Sequence, residues 1–536
     1  MSQTNKIIKF DVSARERLLT GVNILANAVK ITMGPRGQNV VIEQQSGSPI
    51  LTKDGVTVAR AVNLKDKFDN LGVQIIKEAA SRTAEVAGDG TTTATVLSQS
   101  IFSEGVRMLA AGFQSSEIKK GIESAVSDVI DKLRELSIEV TTDKEIEHVG
   151  TISANGETEI GSLLVEAINS VGRDGVITVE EAKGFNTTLT TVEGMNIERG
   201  YLSPYFVNNQ DKMISEIKNP YVLLSNSRIT NLKDIMHILE VVLESGHPLF
   251  VIADDVDGDA MQGLVVNHLK GTLESCAIKS PGFGESRIAM LQDLAVLLDC
   301  DIVSDTTGTS LKEASIENLG TCKKIICGKN NTVFIGCSGD QSAVKERVTS
   351  IREQLKSPAL EEAEELILKD RLSKLSGGVA VLKVGGATEV ELRERKDRVD
   401  DALHATQAAI EEGILPGGGV ALVRAASILS NNDADAMSGF EAGRQIVRRA
   451  CSEPLRQIVI NSGGTPDVVL DRVTGMKKNL GYNAFSDEYG DMMEMGIIDP
   501  LKVVRTALEN ASSAASMMLT VGCTMVDEDQ AEFHQL

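Results

Sequence analysis

The chain has 536 residues, with 54 basic and 76 acidic side chains and a formal net charge of −22. Since a domain usually spans about 100 to 200 residues, this length predicts roughly three domains. A content of 42% apolar residues excludes wholesale disorder. The negative charge repels phosphate backbones, so the composition argues against a nucleic-acid partner.

The sequence carries no sign of a membrane or secretory protein. No stretch approaches the roughly 18 consecutive apolar residues of a membrane helix, and the N-terminal segment lacks the apolar centre of a signal peptide. The seven cysteines are odd in number, are never spaced C-x-x-C and mostly lie in apolar runs. We therefore expect a cytoplasmic protein with no membrane partner and with reduced, buried thiols instead of a zinc site.

The first 135 residues predict a mostly helical region. The stretch AGDGTTTAT, residues 87–95, precedes apolar residues at helical spacing, so it predicts a loop that opens a helix of about five turns. Between Asn39 and Arg60, the runs NVVIE and VTVAR flank LTKDG. This pattern predicts two short strands around a turn at Asp54-Gly55.

The middle of the chain changes character at about residue 193. Short apolar runs such as YVLLSN, PLFVIADD and NTVFIGC alternate with helical ones, which predicts an α/β domain over residues 193–378. Near its end, two charged helical stretches joined across Pro358 predict an antiparallel helix pair. Helical texture then returns and continues to about residue 526.

Two glycine-punctuated, strand-like segments flank this α/β block, at residues 172–184 and 377–394. Their mirror order predicts a helical domain interrupted by a linker, an α/β insert and a second linker. The glycines at both crossings are consistent with hinge motion or with ordinary loops, and the pattern favours neither.

The glycine-rich loop before the predicted helix suggests an anion site. Backbone N–H groups at a helix start are unpaired, and threonine hydroxyls add donors without charge. A carboxylate such as Asp89 suits a phosphate cradle when Mg²⁺ lies between them. The loop therefore indicates a metal–nucleotide site, although a simple turn with a helix cap has the same composition.

Residues 415–422, LPGGGVAL, form another glycine cluster before apolar periodicity, and the chain lacks both a P-loop and a Rossmann fingerprint. In the helical run RVDDALHATQAAIEEG, Asp401 shares its face with Ala405 and Ala408. An acid there suits positioning of a water for attack on a γ-phosphate, or simply a helix dipole. His404 is predicted to be structural, since no nucleophile pattern accompanies it.

Several motifs in order resemble the group I chaperonins, the GroEL family. They extend from about residue 8 to 526 and include TMGPRGQNVVIE, LTKDGVTVAR, AGDGTTTATVL, GTISANG, ERGYLSPYF, SPGFG, DALHATQAAIEEGILPGGGVAL and GYNAFSDEYGDMMEMGIIDP. The resemblance implies an α+β multidomain chaperonin fold with a mostly helical equatorial domain, a small intermediate hinge domain and an α/β apical domain. The implied bounds are equatorial 1–135 and 412–536, intermediate 136–192 and 379–411, and apical 193–378.

The resemblance also implies an ATP-driven folding chamber, built as seven-membered rings of identical subunits, single or double, that acts on unfolded or misfolded proteins. The family resemblance also suggests a lid-forming co-chaperonin as a partner. Asp89 would bind Mg²⁺, Thr32 and Lys53 would lie near K⁺, and Asp401 with Asp54 would orient the attacking water. Nucleotide contacts are implied for Thr32, Met33, Gly34, Pro35, Lys53, Asp89, Gly90, Thr91, Thr92, Thr93, Gly418, Asn483, Ala484 and Asp499.

Client binding is implied for apolar apical residues that would face the cavity, although their helical spacing alone favours core positions. These residues are Tyr201, Tyr205, Phe206, Met236, Leu239, Met261, Val265 and Val266. The chain departs from the family pattern in three places. Phe485 replaces a small residue near the nucleotide base, Gly464 and Thr465 replace carboxylates at the ring–ring contact, and the tail is short and acidic.

Two other functions compete with a folding chaperonin. The first is an ATP-dependent small-molecule enzyme such as a kinase, but the α/β insert shows no nucleophile or metal-ligand spacing. The second is a passive holdase or scaffold, against which the retained Asp54, Asp89 and Asp401 argue.

Overall fold

The computed structural model describes residues 5–43, 49–154, 156–173, 175–182, 184–210, 212–304, 310–355, 362–376, 378–429 and 438–528. The chain forms two compact units: Met1–Val165 with Gly386–Leu536, and Glu166–Gly385. The first unit is thus built from both ends of the chain, as the mirror order predicts. Division into three domains at the bounds given above stays a prediction.

The first unit is mostly helical. Several of its helices begin at capping side chains: Asp66 accepts hydrogen bonds from the N–H groups of Phe68 and Asp69, and Ser438 forms a capping box with Glu441. The helices are α1 (Asp11–Val29), α2 (Gly55–Ala61), α3 (Lys67–Ala87), α4 (Thr91–Ala110), α5 (Ser115–Leu136), α6 (Asp143–Ser153), α13 (Glu389–Glu412), α14 (Val420–Ala426), α15 (Gly439–Ala450), α16 (Glu453–Asn461), α17 (Pro466–Gly475) and α18 (Leu501–Leu519). Helix α7 (Thr158–Val171) begins in the first unit and ends in the second.

One large apolar core holds these helices together. Leu18, Phe102 and Leu508 are among its fully buried members, and α18 packs against α3, α4 and α5. Helix α15 lies so close to α5 that a Cβ atom at Gly443 would lie 2.2 Å from the carbonyl oxygen of Ile118. Only glycine permits that approach, which brings the C-terminal segment of the chain against the N-terminal one.

Short antiparallel strand pairs complete the first unit. They are β1 (Lys6–Phe10) with β19 (Cys523–Asp527), β2 (Val40–Ile42) with β3 (Ile50–Thr52), β15 (Ile414–Pro416) with β18 (Ile498–Pro500), and β16 (Leu480–Asn483) with β17 (Glu488–Asp491). The prediction that VTVAR forms a strand is wrong. Asp54 caps this run through the N–H groups of Val56 and Thr57 and starts α2, so residues 50–52 pair with β2 instead.

The second unit is the α/β part of the chain. Its helices are α8 (Leu232–Ser245), α9 (Gly258–Leu269), α10 (Gly284–Leu298), α11 (Gln341–Gln354) and α12 (Glu362–Ser376). Its strands are β4 (Val176–Glu181), β5 (Thr188–Val192), β6 (Gly194–Ile197), β7 (Ser215–Lys218), β8 (Tyr221–Ser225), β9 (Leu249–Ala253), β10 (Ser275–Lys279), β11 (Ile302–Val303), β12 (Gly320–Cys327), β13 (Thr332–Cys337) and β14 (Val379–Val384).

An eight-stranded sheet forms the centre of this unit, in the order β10-β9-β8-β12-β13-β6, with β11 paired to β8 and β7 to β12. Strands β8, β9 and β10 are parallel and are connected by α8 and α9, which confirms the predicted alternation. The two strand-like segments that flank the block pair directly, as β4 and β14, and β5 joins them. Helices α11 and α12 pack on each other through Ile351, Leu368 and Leu375, while Pro358 lies outside the described residues.

Candidate functional site

The glycine loop between α3 and α4 is held in a backbone conformation that suits glycine. Gly88 and Gly90 have φ angles of +74° and +88°, and a Cβ atom at Gly88 would lie 2.1 Å from Cβ of His404. Gly90 occupies the N-cap position of α4, and no side chain in the described residues caps this helix. The N–H of Gly90 donates to Oδ1 of Asp89, whereas within the described residues the N–H groups of Thr91 to Thr93 have no capping side chain, which favours an anion site over a simple capped turn.

Asp54 lies next to this helix start. Gly55 approaches so closely that its Cβ atom would lie 2.1 Å from Oγ1 of Thr92. The two carboxylate oxygens of Asp54 accept hydrogen bonds from the N–H groups of Val56, at 2.9 Å, and Thr57, at 2.8 Å. These bonds fix the carboxylate at the start of α2, so Asp54 has a structural role, and its role in orienting a water stays a prediction.

Helix α13 brings Asp401 to the same place. Burial raises the pKa of the Asp401 carboxyl well above its usual range, and the nearby charges of Asp89 and Asp54 add to that effect. The neighbouring Ala402 and Ala405 are buried. Ala408, on the same face as Asp401, packs against Ala87 of α3 and Val503 of α18, and an acid with a raised pKa lies beside the glycine loop.

Asp499 completes a group of four carboxyls. It lies in β18 opposite Leu415 of β15. Strand β15 leads directly into the glycine turn 417–419. Burial raises its pKa to about 6, the charge of Asp89 adds to the rise, and hydrogen bonds from the N–H groups of Gly419 and Gly418 oppose it. Burial also raises the pKa of Asp89 itself.

The loop after α1 carries four of the predicted nucleotide contacts. Thr32 is buried and its hydroxyl donates to the carbonyl oxygen of Val29 at 2.9 Å. Gly34 and Pro35 are exposed, and Met33 is partly buried. A Cβ atom at Gly34 would lie 3.1 Å from the side chain of Ile458, so α16 supports the back of this loop.

A third segment carries the predicted base contacts. Ala484 is buried, whereas Phe485 is 69% exposed and packs into no core cluster of the described residues. The side-chain oxygen of Asn483 accepts hydrogen bonds from the N–H groups of Phe485 and Ser486, so it shapes a turn. Lys53 is exposed next to Asp54, and its place near K⁺ stays a prediction.

The donor set fits Mg²⁺ delivered with a nucleotide. Within the described residues, no group of three or more side chains is arranged to hold a metal ion by itself. Mg²⁺ commonly binds through one or two carboxylates together with substrate phosphates. Mutually repelling carboxyls beside uncapped helix N–H groups match that requirement, because a cation between phosphate and carboxylate relieves the repulsion.

Sequence reasoning missed two residues that shape the site. The side chain of Asn461 contacts the loop after α1, and Arg36 donates a hydrogen bond of 2.8 Å to the carbonyl oxygen of Phe485. Neither residue carries a local sequence signal of this role, since each reaches its partner across more than 420 residues. His404, predicted to be structural, is exposed and packs its Cβ atom against the glycine loop.

The predicted client-binding residues lie on α8, α9 and the segment before β7 of the second unit. Tyr205, Val266 and Met236 are 64%, 45% and 42% exposed. The prediction for Phe206 needs correction: this side chain is fully buried and its ring meets that of His268 edge-on at 5.8 Å. The remaining members pack partly against the core of the unit, namely Tyr201, Leu239, Met261 and Val265.

Fold and site together define a multidomain chaperonin fold. The sequence matches the model of the TCP-1/cpn60 chaperonin family over residues 25–529. Two crystal forms of the chaperonin gp146 from the bacteriophage EL 2 (Pseudomonas aeruginosa), solved in presence of ATP-BeFx, share this fold at 24% identity. Form II covers 98% of this chain and 100% of that chain with a TM-score of 0.69, and form I covers 97% and 99% with a TM-score of 0.62.

Since the family model spans nearly the whole chain, the protein belongs to the TCP-1/cpn60 chaperonin family. Its mixed helical and sheet content agrees with the predicted fold class. Among the helices of the described residues, none has the length and apolar character needed to cross a bilayer.

Proposed function

We propose that this chain is the subunit of an ATP-hydrolysing chaperonin that captures non-native proteins on its second unit and promotes their folding in a ring-shaped chamber. The observation that carries the proposal is the convergence of Asp54, Asp89, Asp401 and Asp499 on the uncapped start of α4. Four acids from distant chain segments would repel one another without a cationic partner, which supports a metal–nucleotide site.

Each part of the first unit has a defined task in this proposal. The N–H groups of Thr91 to Thr93, at the positive end of α4, bind phosphate oxygens, and Gly90, whose own N–H donates to Asp89, lets the nucleotide approach the backbone closely. Asp89 holds Mg²⁺, which when bound neutralises phosphate charge, and K⁺ lies near Thr32 and Lys53. The other nucleotide contacts come from Met33, Gly34, Pro35, Gly418, Asn483, Ala484 and Asp499.

Asp401 acts on the attacking water, with Asp54 as its partner. A carboxyl with a raised pKa is a better proton acceptor than an ordinary aspartate once it is ionised. Asp54 is fixed by two backbone hydrogen bonds and orients the water without moving. The phosphoryl transfer then depends on positioning and on electrostatic stabilisation, as is general for this reaction.

The second unit supplies the client surface. Exposed Tyr205, Met236 and Val266 offer apolar area and a flexible thioether, which suit clients of varied shape. Two further exposed apolar side chains lie on the helices that carry Met236 and Val266. Leu243 follows Met236 by seven residues on α8, and Leu269 follows Val266 by three residues on α9. The partly buried Tyr201, Leu239, Met261 and Val265 border this surface.

The assembly that we propose is a homo-oligomer of seven-membered rings, with unfolded or misfolded proteins as clients and a lid-forming co-chaperonin as a further partner. Family membership supports a ring with unfolded clients in general. A cytoplasmic location suits the cysteines, since all seven lie in the described residues and are free thiols.

Replacement of Asp401 by Ala tests the proposal. We expect ATP turnover to fall by about 100-fold or more while ATP affinity stays within about threefold, because the acid acts on the water and not on the ground-state nucleotide. Turnover is measured by phosphate release and affinity by calorimetry, with Asp471→Ala, an exposed carboxylate of α17, as the control. Equal losses of affinity and turnover would make Asp401 a binding or structural residue.

The same assay separates a folding chaperonin from a passive holdase. A parent protein that captures a denatured client but releases no phosphate from ATP would contradict the proposal and leave the holdase. Refolding yield of the client with and without ATP completes the test.

A further inference from the structure

Asn461, the last residue of α16, binds the loop after α1 through its side-chain amide. Its Nδ2 atom donates to the carbonyl oxygens of Met33 at 2.8 Å and Lys30 at 2.9 Å, and lies 3.4 Å from that of Ile31. Its Oδ1 atom accepts a hydrogen bond of 2.8 Å from the side chain of Gln457, one turn earlier on α16. Gln457 is buried, so this bond fixes which end of the Asn461 amide faces the loop.

The loop that Asn461 contacts leaves helical geometry within a few residues. Helix α1 stops at Val29, a single 3₁₀ turn covers residues 30–32, and the chain then turns at Gly34, where φ is +82°. Two of the three carbonyls that Asn461 meets also have backbone partners, since Lys30 accepts from the N–H of Met33 and Ile31 from that of Gln38. The carbonyl of Met33 accepts from Asn461, and an aspartate of the same shape would offer only acceptors.

Neighbouring contacts hold the same loop from the same side. The side chain of Ile458 lies against Gly34. Arg36 donates to the carbonyl oxygen of Phe485 at 2.8 Å and lies 3.4 Å from that of Ser462. The loop is therefore attached to α16 and to the turn at residues 483–486. Asn461 contributes contacts to three of its carbonyl oxygens.

We infer that Asn461 is a positioning residue for nucleotide binding: it holds the backbone of residues 30–35 in the shape that receives ATP and does not touch the ATP itself. This inference rests on the proposed function, in which Thr32, Met33, Gly34 and Pro35 contact the nucleotide. It predicts a loss of ATP affinity and leaves the chemical step to Asp401.

The test compares Asn461→Ala with the isosteric Asn461→Asp. Loss of the two short hydrogen bonds corresponds to an increase of about 10-fold in the Kd for ATP in Asn461→Ala. Asn461→Asp has a larger increase, since a carboxylate then faces three carbonyl oxygens. Affinity is measured by calorimetry in the Asp401→Ala background, and kcat in the parent background stays within about threefold.

Two further measurements separate positioning from a general loss of structure. Hydrogen exchange of the amides of residues 33–38 in the nucleotide-free protein speeds up in both variants, whereas exchange in the core of α4 and α18 does not change. Gln457→Met, which removes the bond that orients the amide, raises the Kd for ATP in the same direction by a smaller factor. Ile460→Ala, at a half-exposed position of the same helix, serves as the control and leaves the Kd unchanged.

Some outcomes would overturn the inference. An unchanged Kd in Asn461→Ala, equal values for Asn461→Ala and Asn461→Asp, or a fall in kcat at constant Kd would each do so. If an Asn461 variant does not fold, the Kd of Gln457→Met decides. If the parent protein binds no ATP, the proposed function fails, and hydrogen exchange in the loop alone decides whether Asn461 positions it.

Discussion

Replacement of Asp499 by Asn should stabilise the nucleotide-free protein in a pH-dependent way. The structure raises the pKa of this carboxyl from its usual value of about 3.9 to about 6, chiefly through burial and then through the charge of Asp89. The folded protein thus holds the proton more tightly than the unfolded chain does. Asp499 therefore leaves the unfolding free energy of the parent protein unchanged below about pH 4. It lowers that free energy as the pH rises towards about 6, and the loss persists at higher pH.

The size of the effect follows from this pKa difference. One pKa unit corresponds to about 1.4 kcal/mol, so ionised Asp499 costs about 2 to 3 kcal/mol of unfolding free energy at pH 7.5 and about 1 to 2 kcal/mol at pH 5.0. Asparagine has no charge at either pH. It is nearly isosteric, and its side-chain oxygen still accepts from the N–H groups of Gly418 or Gly419.

Urea denaturation without nucleotide, followed by circular dichroism at pH 5.0 and pH 7.5, measures the effect. We expect Asp499→Asn to be more stable than the parent at both values, with the larger gain at pH 7.5. The exposed Asp471→Asn, also in the first unit, is the control and should change stability at neither pH. A gain of the same size at both pH values, or none at pH 7.5, would refute the reasoning, because it would mean that Asp499 is not a strained ionised group.

Two further predictions concern the proposed surfaces. Tyr205→Glu and, separately, Val266→Ser should weaken capture of a denatured client, measured by aggregation suppression, without reducing ATP turnover or assembly, because these side chains are 64% and 45% exposed; a variant that fails to fold would instead indicate a core role. Ring stacking should be weak, since Arg456 pairs within its own chain with Asp467 at 2.5 Å and Thr465 replaces a carboxylate. Each lost exposed ion pair is worth about 0.2 to 1 kcal/mol, repeated around the ring. Native mass measurement across protein concentration and salt should show single rings in the parent and more double rings in Thr465→Glu. Double rings of the parent that persist at nanomolar concentration, with and without ATP, would contradict this prediction.

Local patterns predicted much of the fold, including the glycine loop of the candidate site. The loop 87–95 opens a helix of 20 residues, and the alternating runs after residue 193 form the parallel strands β8, β9 and β10. These features depend on periodicity and on glycine conformation within a short segment, which a sequence displays directly. The chaperonin motifs then identified the family that the whole-chain match establishes.

The errors arose where distant contacts outweigh local preference. The run VTVAR has β-branched residues but forms α2, because Asp54 caps it and Gly55 packs on Thr92 of another helix. Phe206 has the apolar character of a client-binding residue but is buried against His268, and one sequence position does not reveal which side of a segment faces the core. The interaction of Asn461 with Met33 likewise depends on tertiary structure alone.

The pairing of β1 with β19 constrains when the first unit can complete its folding during synthesis. Lys6–Phe10 pairs with Cys523–Asp527, so the first unit lacks α18 and β19 until residues 501–527 have been translated. Glu166–Gly385, by contrast, forms a compact unit from one continuous segment. At roughly 5 to 20 residues per second, translation of that segment takes about 10 to 40 s. During this time the helices α1 to α5 expose apolar faces that α15 and α18 later cover, so nascent chains of this protein are themselves exposed to aggregation and need protection until α18 and β19 have been made.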